Sequence, residues 1–101
     1  MTVYISGKIT GTTDYMERFE AAEKKLVGKG YDAINPAKRN AEFPPGTAWE
    51  TYMRSCITML MGADAIYMMR GWRRSAGAVL EHQIATSLGM VIINEGGFYG
   101  E

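Results

Sequence analysis

Ala63-Asp64-Ala65-Ile66-Tyr67-Met68-Met69 runs into Arg70-Gly71-Trp72-Arg73-Arg74 and then into Ser75-Ala76-Gly77-Ala78-Val79-Leu80-Glu81. The first segment is apolar on both faces apart from Asp64, which is the pattern of a strand buried in a parallel sheet. The second segment is a loop. The third begins with Ser75, a good helix N-cap, and continues as a helix to Leu88, stopped by Gly89. Strand, loop and helix in this order are two thirds of a strand–helix–strand unit, and Met90–Ile93 supplies the strand that closes it.

The same unit recurs upstream. Thr2–Ser6 is a short β-rich run ended by Gly7. Asp14, with Glu17 three residues later, starts a helix in which Tyr15, Phe19, Ala22 and Leu26 repeat at near-helical spacing, and Gly28 and Gly30 stop it. Tyr31–Ile34 is a second strand, ended by Asn35-Pro36. Residues 35–47 form the longest irregular stretch. Thr47-Ala48-Trp49-Glu50 reads as a capping box that opens a helix. Tyr52, Met53, Cys56, Ile57, Met59 and Leu60 form its apolar face, and Gly62 ends it. Strict alternation predicts a doubly wound α/β fold: a four-stranded parallel sheet in the order 2-1-3-4, with helices on both faces. In such sheets ligands bind beyond the carboxyl ends of the strands. There the loops Ser6–Thr13, Asn35–Thr47 and Arg70–Ser75 meet.

Bulk properties narrow the function. The chain has 101 residues, 47% of them hydrophobic, so residues 1–101 are read as one domain. Lys plus Arg and Asp plus Glu number 11 each, which argues against a nucleic-acid polymer or a membrane surface as partner. A single cysteine, Cys56, allows no internal disulfide and no C-x-x-C metal site. Neither a metal nor a cofactor is expected. No apolar run approaches a membrane span, and the opening residues do not read as a signal peptide. A cytoplasmic location follows as the expectation. Small size, together with apolar and aromatic residues on the helix that follows Thr47 and in the tail, Phe98 and Tyr99 among them, predicts a homo-oligomer, a dimer or larger.

Glu81 is the residue out of place. Gly77, Ala78, Ile84, Ala85 and Leu88 share its side of the helix, so its carboxylate lies on a stripe that is otherwise small and apolar. Such a carboxylate is a candidate nucleophile or acid–base group near a helix N-terminus; the same residue could also rotate outward or pair with an Arg. Tyr4 stands two residues before the first loop and can donate to a carboxylate or a substrate, or can serve as a core aromatic. Ser6-Gly7-Lys8-Ile9-Thr10-Gly11 lacks the Walker spacing and is read as a ligand-binding or plain turn. Arg70, Arg73 and Arg74 around the Ser75 helix start suit an anion, and equally suit a solvated loop over a packed Trp72. His82, the only histidine, is about 100° from Glu81 on the helix and is expected to be exposed or capping. Cys56 is expected in the core, and Asp64 at a strand end.

These segments resemble a known group. Tyr4–Gly11, Asn35-Pro36, Trp49 with Tyr52-Met53-Arg54, Ala63–Ile66, Gly71-Trp72 and Ser75–Glu81 are similar to small phage and bacterial proteins of the nucleoside 2-deoxyribosyltransferase-like superfamily, in a branch labelled a domain of unknown function. The resemblance implies an N-glycosidase or deoxyribosyltransferase acting on a nucleoside or its 5′-monophosphate. It also implies that Glu81 is the nucleophile and that Tyr4 orients it. Ser75 and Gly77 resemble the phosphate-binding stretch of the monophosphate-hydrolysing branch. With Ser6, Gly7, Lys8, Trp72 and Arg73 they form the expected substrate and phosphate site. Two acidic positions of the transferases fall on Cys56 and Ser75 here. A binding module without turnover, or a phage accessory interaction protein, is the alternative reading.

Overall fold

The computed structural model describes residues 1–95. Four parallel strands, β1 (Thr2–Ser6), β2 (Asp32–Ile34), β3 (Ala65–Met68) and β4 (Val91–Asn94), form one sheet in the order β2-β1-β3-β4. This is the expected order. Helices α1 (Tyr15–Gly28), α2 (Pro36–Arg39), α3 (Trp49–Met61) and α4 (Ala76–Ser87) connect them, with a 3-10 turn at Trp72–Arg74. β1 pairs with β3 in the register Tyr4 opposite Ile66 and Ser6 opposite Met68.

The two-residue period of the strands sorts side chains between two cores. Val3, Ile5, Ala65 and Tyr67 pack with Phe19, Ala22 and Leu26 of α1 on one face. Tyr4, Ile66 and Met68 pack with Cys56 and Leu60 of α3 and with Ala78 and Ala85 of α4 on the other. Buried apolar area on both faces drives this layering, at about 25 cal/mol per Å² removed from water. Asp64 secures the strand starts, as expected: its carboxylate accepts from the Thr2 amide at 2.9 Å, and its own amide donates to the Thr2 carbonyl.

Several local expectations are corrected. Residues 35–47 are not wholly irregular, because Asn35 accepts from the Lys38 amide and caps α2, with Pro36 in its first turn. A proline at that position starts a helix as readily as it ends a strand. Thr47 does not cap α3. Its hydroxyl donates to the Pro44 carbonyl at 2.6 Å, closing the Pro-Pro-Gly turn, and Ala48 occupies the N-cap position. Asp14 occupies the N-cap position of α1 without making a side-chain cap bond. Leu88 is exposed just past the end of α4 rather than on its buried stripe. Phe98 and Tyr99 lie outside the described residues. Among the described residues no helix is long and apolar enough to cross a membrane.

Candidate active site

Beyond the carboxyl ends of β1 and β3 the chain encloses a cavity of about 650 Å³. All three expected loops reach it: Gly7, Lys8 and Ile9 from the first, Pro36 and Thr47 from the second, Arg74 and Ser75 from the third. Glu81 lies at its floor, 4% exposed, on the second turn of α4.

Two hydroxyls hold the Glu81 carboxylate. Tyr4 donates to Oε2 at 2.6 Å and Ser6 donates to Oε1 at 2.6 Å. Both come from β1 and are two residues apart, so the pleat turns them to the same face. Hydroxyl–carboxylate bonds this short are charge-assisted. Burial pushes the Glu81 carboxyl up to about 6, and the hydrogen bonds from Ser6 and Tyr4 oppose that rise. The carboxylate is therefore mainly ionised at neutral pH. Burial, with the Glu81 charge beside it, raises the Tyr4 phenol well above its ordinary value, so Tyr4 stays a donor.

α4 is aimed at the cavity. Ser75 caps it, accepting from the Ala78 amide at 3.2 Å, as expected. Gly77 lets α3 approach, since a Cβ there would lie 2.9 Å from Met53 Sδ. Lys8 reaches across the mouth and donates to the Arg74 carbonyl at 3.3 Å. Cys56, at the floor, accepts a weak bond from Asn40 at 3.5 Å. Burial and the nearby Glu81 push its thiol up to about 12, so it is an inert thiol.

The expected site residues divide accordingly. Glu81, Tyr4, Gly7, Lys8, Ser75 and Gly77 line the cavity. Ser6 is spent on Glu81 and is 1% exposed, so its hydroxyl does not face a ligand. Trp72 and Arg73 stand outside the cavity. Trp72 is buried and stacks on His82 with ring centroids 4.4 Å apart, and the Arg73 guanidinium lies 4.6 Å over the same indole. His82 is thus neither exposed nor capping, and burial with Arg73 nearby lowers its pKa. Trp49, Tyr52 and Met53 of α3 form a wall of the cavity to which the sequence alone assigns no ligand role. The available signal was an aromatic, Trp49, at the first position of a helix; the structure leaves it 46% exposed. Among the described residues no group of three or more His, Cys, Asp or Glu side chains is placed to hold a metal ion.

Residues 1–94 match the family model described as domain of unknown function DUF4406. The chain belongs to that family. Its fold is also that of a 2-deoxyribosyltransferase from the psychrotolerant bacterium Bacillus psychrosaccharolyticus, with a TM-score of 0.72 at 14% sequence identity, over 91% of this chain and 69% of that one. No curated protein matches the chain.

Proposed function

We propose that this DUF4406 domain is an enzyme of N-glycosidic bonds, cleaving base from sugar in a (deoxy)nucleoside or its 5′-monophosphate. The observation that carries this reading is the pair of 2.6 Å hydroxyl bonds that fix both oxygens of a buried carboxylate at the floor of an open cavity. A retaining route through an oxocarbenium-like transition state needs such a carboxylate on one face of the sugar. A Glu81 oxygen attacks the anomeric carbon, the C–N bond breaks, and its electron pair leaves with the base, which takes up a proton. Water or a second base then displaces the glycosyl ester and regenerates the carboxylate. Tyr4 and Ser6 set its position before the sugar arrives, which is where positioning lowers a barrier.

The walls suit the substrate class. Trp49 and Tyr52 offer aromatic surface for a base. Lys8, Arg74 and the amide groups at the start of α4 offer cations and N–H donors for a 5′-phosphate. The fold shared with a 2-deoxyribosyltransferase supports the same reading. A second, non-catalytic reading has its own support. The resemblance puts an acidic position of the transferases at about Cys56, and the Cys56 thiol, pushed up to about 12, cannot take over a carboxylate's hydrogen bonds to sugar hydroxyls.

A chromatographic assay for free base, run over the deoxynucleosides, ribonucleosides and their 5′-monophosphates, tests the proposal. Release of base from at least one of them is expected. Binding without release from any would promote the nucleotide-binding reading.

A further inference from the structure

A second cavity, of about 610 Å³, opens on the other face of the sheet, between α1 and the ends of β3 and β4. Arg18 and Lys25 line it from α1, Arg70 and Arg74 from the loop after β3, and Tyr67 and Glu95 from the sheet. The proposed reaction uses none of these except Arg74, which borders both cavities.

Two features set this place apart from an ordinary basic surface. The first is charge. Among the described residues the four cations pair with no carboxylate. Arg18 donates only to the Arg70 carbonyl at 3.4 Å, and the Lys25 ammonium lies 6.0 Å over the Tyr67 ring. The one carboxylate, Glu95, is turned to the Arg70 amide, 2.6 Å from its Oε1. The second is an orphan donor. Tyr67 is 2% exposed, and its hydroxyl is buried with no hydrogen-bond partner among the described residues. A phenol hydroxyl held this way costs folding free energy that an acceptor would recover. Tyr67 shares the cavity lining with Arg70 and Glu95. Burial and the Glu95 charge push its hydroxyl up to about 12, against the opposing effect of Arg70, so it remains a donor.

We infer that this cavity is an anion site for a phosphate group, free or as a monoester, with Tyr67 donating to one oxygen and the Arg and Lys side chains supplying the countercharge. Several cations with a neutral hydroxyl donor match the several acceptor oxygens of a phosphate better than the two of a carboxylate. The space exceeds what inorganic phosphate fills and leaves room for the body of a small phosphomonoester. The site is independent of Glu81, so it stands or falls apart from the proposed glycosidic chemistry.

The test is a titration of isotopically labelled full-length protein with inorganic phosphate and, separately, with ribose 5-phosphate, read on backbone amide shifts. Saturable shifts are expected at Tyr67 and Gly71. Arg18→Ala should weaken that binding about ten- to a hundredfold, the scale of a charge-assisted hydrogen bond, and Tyr67→Phe about three- to tenfold. Lys8→Ala, in the first cavity, should leave it intact. Tighter binding of ribose 5-phosphate would identify a monoester as the ligand; equal binding would identify the free ion. Shifts confined to Gly7 and Gly77 and lost in Lys8→Ala would overturn the proposal, as would the absence of saturable shifts. Tyr67→Phe removes an unpartnered hydroxyl and Arg18→Ala a partly buried side chain, so both variants should keep the fold and the test stays decisive.

Discussion

Tyr4 and Glu81 are 77 residues apart in the chain and 2.6 Å apart in space. The crossover from β2 to β3 passes over β1 and sets β3, the strand that feeds α4, against the other side of β1, and the second turn of α4 then falls over Tyr4. This one contact links the parallel topology to the chemistry, because it exists only if β1 and β3 are neighbours.

The position of Glu81 has a thermodynamic consequence. Its folded-state pKa, about 6, lies above the ordinary 4.5. The folded protein therefore holds this proton more tightly than the unfolded chain does. The stability it contributes is complete below the ordinary value and is lost as pH rises through about 6, a change of about 2 kcal/mol. Glu81→Gln has no such titration. The melting temperature of wild type relative to Glu81→Gln should fall by on the order of 10 °C between pH 4 and pH 7. Parallel melting curves across that range would show that Glu81 does not titrate as described.

Removing the hydroxyls should act through the carboxylate. Both bonds oppose the rise in its pKa, so Tyr4→Phe and Ser6→Ala should each move the acidic limb of the rate profile above pH 6. Each should also slow base release roughly ten- to a thousandfold, the scale for one positioned hydrogen bond. A lower rate with an unmoved limb would assign Tyr4 and Ser6 a packing role only.

Much of this arrangement was legible in the sequence, for physical reasons. Alternating apolar strands and amphipathic helices admit few topologies, and the bounds of β1 follow from Thr2–Ser6 being β-rich and Gly7 ending it. Glu81 was legible because a carboxylate on the Ala78–Ala85 stripe has no cheap structural purpose. The sequence does not name the partner of Ser6, although its spacing from Tyr4 puts both on one face of β1. The stack of Trp72 on His82 joins a loop to a helix, and no local pattern encodes a contact of that kind. α2 is hidden in the sequence because Asn-Pro signals a strand end and a helix start alike.

Close packing beneath the first loop gives a stability prediction. A Cβ on Gly7 would sit 2.7 Å from Met69 Sδ and 3.0 Å from Met69 Cβ. The Met69 amide is tied to the Ser6 carbonyl at 2.8 Å, so the two segments cannot part easily. Gly7→Ala should cost about 1–3 kcal/mol by overpacking, read as a lower urea midpoint. At Gly77 the nearest atom is the flexible end of Met53, and alanine gains up to about 1 kcal/mol in a helix, so Gly77→Ala should change stability little. Equal destabilisation by both would contradict this account.

Self-association is expected as well. Trp49 and Met61 on α3, Leu88 after α4, and Val91 on the edge strand β4 are all large apolar residues left exposed. Sedimentation equilibrium at roughly tens of micromolar should show at least a homodimer. A monomer throughout that range would mean these residues stay in water.

Base release by purified wild type and Glu81→Gln, on whichever nucleoside or nucleotide the wild type cleaves, tests the central claim most directly. An amide cannot form the glycosyl ester, so the variant should release no base while circular dichroism shows the fold retained. Base release by Glu81→Gln at the wild-type rate would contradict the assignment of Glu81 as the nucleophile.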